Sequence, residues 1–264
     1  MTFPATDSLA HYQSMARTLT QLTDHKEPPA DLAQLADHWG LNKAQLLSLF
    51  TRQYAQTQLQ KSAALSAWQN NATVACEHMA PGEYKKLGLG LNIAYAIYPS
   101  PYGHCLLATT TRGICKLTFF DEWAHSAQHI EALHAEWPSA TIQHNPLGSQ
   151  VLAQQIFSEP CDRQPPRKLL LSGTDFQLRV WQALLTITPG SLCSYQQVAQ
   201  QIGNPQAVRA VASAIANNKV ALLVPCHRVI KSNGELNQYR WGALRKRIMI
   251  TREAALNYHG TNNS

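Results

Sequence analysis

Several things are scarce in this 264-residue sequence, and each absence narrows what it can do. No apolar run approaches the roughly 20 residues that cross a bilayer, so no membrane span is expected. Met1 to Ala10 lacks a basic flank and an apolar core, so no secretory signal is expected there. The six cysteines (Cys76, Cys105, Cys115, Cys161, Cys193, Cys226) form no Cys-x-x-Cys pair. That argues against a disulfide framework or a zinc ribbon and suits a reducing cytoplasm. His125 and His129 stand at helical spacing, but no carboxylate or thiol is placed to complete a metal site. A solvated helix face is the favoured reading. Neither a metal nor a cofactor is expected. Acidic residues are nearly missing from the last third.

What is present is unevenly distributed. Residues 1–75 carry five Lys/Arg and five Asp/Glu, residues 76–166 five and eight, and residues 167–264 twelve and three. The last block is therefore net +9, more than the whole-chain excess of +6. A basic surface attracts polyanions, and phosphate neutralisation dominates non-specific DNA binding. A nucleic-acid partner is expected, with a merely solubilising surface as the alternative.

Residues 1–75 read as helical. Asp31 to Trp39 places Leu32, Leu35, Ala36 and Trp39 on one face. Gly40 turns the chain, and Asn42 caps a helix bearing Leu46, Leu49 and Phe50. This is helix-turn-helix spacing, which a plain helical packing module shares. The polar stretch from about Gln60 to Leu89 reads as linking sequence, with a linker set at 76–90. Residues 91–166 read as a small α/β domain. Strands are expected at Ile93–Tyr98, Cys105–Thr110, Ile114–Phe119 and Thr141–Gln143, and helices at Trp123–Trp137 and Ser149–Phe157. Residues 167–264 follow Pro165-Pro166. Helices are expected at Phe176–Leu185 and Ser194–Ile202, the second closed by Gly203. Asn204 and Pro205 are expected to start another helix over Gln206–Ala216. That last helix is small-residued with one arginine, Arg209. It suits either close, sequence-neutral approach to a groove or burial as an Ala-rich core helix.

The apolar run Val220-Ala221-Leu222-Leu223-Val224, read as extended, ends in Pro225-Cys226-His227-Arg228-Val229. A thiol becomes a useful nucleophile only when neighbours lower its pKa, and a histidine is one such neighbour. A buried structural thiol is the alternative. In an extended segment adjacent side chains point apart, so direct thiol–imidazole pairing is strained. That counts against a thiol hydrolase.

Phe176-Gln177, Val180-Trp181, Ser194-Tyr195-Gln196-Gln197, Ala207-Val208-Arg209-Ala210-Val211, Asn218, Pro225 to Val229 and Tyr239-Arg240-Trp241-Gly242 occur in order between Phe176 and Glu253. This part resembles the catalytic domain of the O6-alkylguanine-DNA alkyltransferases, most closely the bacterial adaptive-response type. Arg112-Gly113-Ile114-Cys115 is similar to the family's RNase-H-like half. The resemblance implies a multidomain α plus α/β chain: a helical helix-turn-helix block, a small RNase-H-like α/β domain, and a mostly helical, winged-helix-like alkyltransferase domain. It implies single-turnover transfer of an alkyl group from guanine O6, or thymine O4, in double-stranded DNA to Cys226 after base flipping. His227 would take the thiol proton through water and Glu253 would orient His227. Tyr195 would press on the rotating phosphate and donate to guanine N3, and Arg209 would fill the gap in the duplex. Carbonyls of Cys226 and Val229 would accept from the guanine amino group. The Arg240 N–H would donate to O6, and Tyr239 would wall the pocket. Asn218 would tether the recognition helix to the active-site segment. Ala207, Val208 and Arg228 are counted with the DNA-contacting residues. Related binding proteins of this fold carry Trp where this chain has Cys226. A monomer is expected.

The N-terminal block resembles one helix-turn-helix of the AraC type, with Ala80 to Tyr84 as a remnant of a second. No Cys precedes Cys76, so the zinc-thiolate domain of the adaptive-response type has no counterpart here. Promoter DNA is a candidate partner of residues 1–75, and the alternative function is an alkylation-responsive transcription regulator.

Overall fold

Alternating apolar residues and two glycine turns build the centre of a six-stranded sheet. The computed structural model describes residues 74–157, 167–236 and 238–261. The helix-turn-helix expected within 1–75 lies outside them. Strands β2 (Asn92–Ser100), β3 (Gly103–Thr110) and β4 (Gly113–Phe120) form an antiparallel meander. At Gly113, φ is +145° and a Cβ would lie 2.6 Å from the Lys168 carbonyl oxygen, so only glycine allows the close approach.

The sheet order is β1-β6-β4-β3-β2-β5. Strand β1 (Val74–His78) runs parallel to β6 (Arg167–Leu171), β6 parallel to β4, and β5 (Thr141–His144) parallel to β2. Two expected boundaries change here. The stretch 76–90, expected as a linker, carries most of β1 and the short helix α1 (Pro81–Lys85). The block expected to begin a separate domain at residue 167 begins instead with a strand of the same sheet. Strand β1 has little apolar pattern of its own, and its partner lies far along the chain.

Both faces of the sheet are covered, as side-chain alternation requires. Leu106, Ala108, Cys115 and Phe120 join one core with Trp137 and with Leu133 of helix α2 (Ser126–Glu136). Cys105, Leu107, Leu117 and Phe119 join another with Ala153 and Ile156 of α3 (Pro146–Phe157) and with the helical half.

That half contains α4 (Asp175–Leu185), β7 (Cys193–Ser194), α5 (Tyr195–Gln201), α6 (Val208–Ala216), β8 (Val229–Ile230) and α7 (Ala243–Thr261). Thr174 and Ser194 start α4 and α5 with capping boxes closed by Gln177 and Gln197. Gly203, at φ +74°, turns the chain after α5. Helix α6 starts at Val208, not at Gln206. The Ala207 N–H donates to the Asn204 carbonyl at 3.0 Å, closing a turn over 204–207. Proline fits the second position of such a turn as well as the first turn of a helix, and here the turn wins. Val211, Ala214 and Ile215 of α6 are buried, whereas Arg209, Ala210, Ser213 and Ala216 are exposed. The helix is therefore both a core element and an open small-residue face.

Candidate active site

The run Val220–Val224 is a series of turns, not an extended strand. The Val224 N–H donates to the Val220 carbonyl at 3.1 Å, and Leu222 takes the left-handed conformation at φ 64°. Cys226–Arg228 then forms one turn of 3₁₀ helix before β8, which pairs with β7.

Asn218, just after α6, organises this loop. Its Oδ1 accepts from the Val220 N–H at 2.9 Å. Its Nδ2 donates to the carbonyls of Val224 at 3.0 Å and Val220 at 3.3 Å, and to Cys226 Sγ at 3.1 Å. One buried amide thus fixes the loop and aims a donor at the sulfur. Cys226 is 3% exposed. Burial pushes its thiol above the ordinary value, opposed by the Asn218 donor, the Lys246 charge and the Tyr239 hydroxyl.

His227 is fully buried, and its Nε2 lies 2.9 Å from Glu253 Oε1. An ionised carboxylate only accepts, so Nε2 carries the hydrogen and Nδ1 the lone pair. Nδ1 is buried with no protein partner among the described residues. Burial lowers the imidazole pKa against the pull of Glu253, so the ring is neutral near pH 7 and able to receive a proton. Burial would raise the Glu253 carboxyl, but Arg228 and His227 outweigh it and hold it well below the usual carboxylate range. Glu253 Oε2 also accepts from the Gly190 N–H at 3.0 Å.

Arg228, expected among the DNA-contacting residues, turns inward instead. It donates to Glu253 Oε1 through Nη2 at 2.8 Å and to Oε2 through Nε at 3.0 Å, and its Nη1 donates to the Ile187 carbonyl. A guanidinium beside a buried carboxylate completes the carboxylate's hydrogen bonds, a stronger claim on it than solvent.

Lys246, on α7, was not singled out in the sequence. It is 1% exposed, and its Nζ donates to the Val229 carbonyl at 2.6 Å. Burial lowers its pKa to about 8, against the Cys226 charge. The usable signal was Arg245-Lys246-Arg247: three successive helical residues sweep about 200°, so they cannot all face solvent on a packed helix. The Val229 carbonyl expected to bind guanine is thus already engaged on one side.

The remaining expected residues surround this centre. Tyr195 opens α5 and is half-buried; Ala207 and Val208 are half-buried at the start of α6, and Arg209 is exposed beside them. Tyr239 is half-buried and edge-on to Trp241, with ring centroids 5.2 Å apart. The exposed Arg240 side chain reaches the carbonyls of Asn218 and Ala216 at the end of α6, at 3.3 and 3.5 Å. Among the described residues no group of three His, Cys, Asp or Glu could hold a metal, and no helix is long and apolar enough to cross a membrane.

The chain is similar to known proteins. Residues 175–255 match the family described as 6-O-methylguanine DNA methyltransferase, DNA binding domain, and residues 93–158 match its ribonuclease-like domain. Over 178 residues, 67% of the chain, the sequence is 41% identical to the bifunctional transcriptional activator/DNA repair enzyme Ada of Escherichia coli K12, covering 49% of that protein. Over 86 residues, 33% of the chain, it is 52% identical to a methylated-DNA–protein-cysteine methyltransferase of Mycobacterium tuberculosis H37Rv, covering 52% of it. The chain thus spans about half the length of these curated relatives. The crystal structure of the Mycobacterium tuberculosis O6-methylguanine methyltransferase aligns at 34% identity and a TM-score of 0.48, over 62% of this chain and 93% of that one.

Proposed function

Since the chain belongs to the 6-O-methylguanine DNA methyltransferase family, we propose that it repairs O6-alkylguanine in double-stranded DNA by moving the alkyl group to its own Cys226. The observations that carry this reading are a buried thiol faced by the Asn218 amide and, next in the chain, a buried histidine whose Nε2 is held by Glu253.

The exposed small-residue face of α6 suits close approach to a groove with little base-edge readout, and Arg209, exposed on that helix, would occupy the gap left by a flipped base. Cys226 gives its proton, relayed by water, to His227 Nδ1. The resulting imidazolium is stabilised by Glu253 through Nε2. The Cys226 sulfur attacks the alkyl carbon, the carbon–O6 bond breaks, and its electron pair leaves on guanine. Tyr195 and the Arg240 N–H donate to N3 and O6 as that charge develops, where preorganised donors lower a barrier most. Tyr239 walls the base, and the Cys226 and Val229 carbonyls accept from its amino group. The product is a thioether. It has no easy leaving group, so each molecule acts once. The chemistry needs no cofactor.

The test is mass spectrometry after incubation with a duplex containing O6-methylguanine. The Cys226 peptide gains the mass of one methyl replacing one hydrogen. Methylation elsewhere, or none, overturns the reading. A second reading, an alkylation-responsive regulator, is favoured by the activator function in the name of the Escherichia coli relative. A reporter driven with and without an alkylating agent, by the chain with and without residues 1–75, separates the two. Loss of induction on deletion supports the regulator.

A further inference from the structure

Strand β4 carries the active-site loop on its backbone. The Leu117 N–H donates to the Lys219 carbonyl at 3.0 Å, and the Ala221 N–H donates to the Leu117 carbonyl at 2.9 Å. Residues 219–221 thus lie alongside β4, with Val220 bridged to Leu117. Next to this backbone clamp stands an ion cluster. Glu136 of α2 pairs through Oε2 with Lys116 Nζ at 2.6 Å and through Oε1 with Lys219 Nζ at 2.8 Å. Lys219 Nζ also donates to Ser172 Oγ at 3.1 Å and stands over the rings of Tyr84 and Trp137, 5.2 and 5.4 Å from their centroids.

Such a cluster is a poor source of stability. Taking two ammonium groups and a carboxylate largely out of water costs about what their attraction returns. Its distinctive property is directional: charge, hydroxyl, two ring faces and one backbone bond all restrict one residue, Lys219. Every one of those partners comes from residues 84–172. The residue before Lys219 is Asn218, whose amide reaches Cys226 Sγ. A donor aimed at a sulfur acts only if its own backbone is held, and a misplacement of about 1 Å can cost 100-fold in rate.

We infer that Lys219 is a positioning residue: anchored by Glu136 and by Leu117, it holds the Asn218 amide against Cys226, so that the sheet half of the molecule sets the reactivity of the thiol. This rests on the alkyl-transfer reading of Cys226. Lys219→Met is the informative variant, because Glu136 stays paired with Lys116 and the thioether chain still covers the two rings.

Three measurements on the full chain decide it: the single-turnover rate of methyl transfer at saturating O6-methylguanine duplex, the duplex Kd, and the pH profile of Cys226 methylation by methyl iodide. In the last, the thiolate displaces iodide and no DNA is needed. Lys219→Met is expected to slow transfer about 10-fold, to leave Kd within about twofold, and to move the methyl iodide profile to higher pH. Lys219→Arg, which keeps the charge, restores most of the rate. An unshifted profile in Lys219→Met, or a rate loss that only tracks a lowered melting temperature, overturns the inference. If the unaltered protein takes no methyl from DNA, the repair reading falls, while the methyl iodide profile still decides the positioning role.

Discussion

Two regions of this molecule bury thiols, and they bury them differently. Cys105 and Cys115 lie in adjacent strands, Cys105 in the core that contains Leu107 and Ile114 and Cys115 in the one that contains Leu106 and Ala108. Burial pushes both thiols up to about 12. Cys226 is just as hidden, but a side-chain amide, a lysine and a tyrosine bear on its sulfur. Depth is common to both regions, and lysine charges bear on Cys115 too, opposed by Glu136; at Cys226 a side-chain amide also donates to the sulfur. Burial alone disfavours the thiolate. A buried thiol can serve as a nucleophile only where donors and cations are placed to receive its negative charge.

The sharpest attempt to break this contrast is exchange of the thiols. Cys226→Ala is expected to abolish methyl transfer while duplex binding, read by fluorescence anisotropy, persists. Cys115→Ala should transfer at the unaltered rate and lose only about 1 kcal/mol of stability in urea. Transfer by the first variant, or a dead second variant that is still folded, ends the distinction.

Removing one donor comes next. Asn218→Ala should lower the single-turnover rate about 100-fold, the scale of losing one preorganised donor at a charged transition state. A full rate would mean that the amide merely shapes the loop.

Glu253→Gln tests the carboxylate behind the histidine. The transfer rate should fall about 10-fold, and the stability difference should depend on pH. The Glu253 carboxyl is held below its unfolded value, so its contribution is complete above about pH 4.5 and is lost as pH falls through the folded value. The gap between the two proteins in urea unfolding is therefore expected to be full at pH 7 and to shrink in acid. A gap that widens in acid contradicts the assignment.

Lys246→Met gives the smallest expected change. Its folded pKa of about 8 lies below the unfolded value near 10.4. The unfolded chain therefore binds more protons between those values, and stability attributable to Lys246 rises with pH across that window. The unaltered protein should gain relative to Lys246→Met between pH 8 and pH 10. Parallel curves would place the ammonium group in solvent.

Legibility in the sequence followed how local the determining interactions were. Strands β2 to β4 could be read because apolar runs are punctuated by Pro99 to Gly103 and by Thr111 to Gly113. Helices α4 and α5 announce themselves through Thr174-x-x-Gln177 and Ser194-x-x-Gln197. Strand β1 was missed because its evidence is β6, a partner brought in by the fold. Val220–Val224 reads as extended in the sequence because five apolar residues look alike whether they pair or turn. The turns depend on the Asn218 amide and on Leu117, neither of which sits within the run. At the site, Cys226 and His227 stand out by motif and Glu253 through the resemblance, and the structure joins His227 to Glu253. The inward turn of Arg228 was not legible. Its partners Ile187 and Glu253 are 41 and 25 residues away.

The position of β6 bears on how such a chain could be inherited or rebuilt. Its residues follow the Pro165-Pro166 joint yet complete the sheet that precedes the joint. A cut at that point leaves one piece with an open strand edge and the other with β6 parted from the sheet it completes. Shuffling by recombination would therefore favour moving the whole span from Val74 to Glu253 as one cassette, whatever is spliced before it.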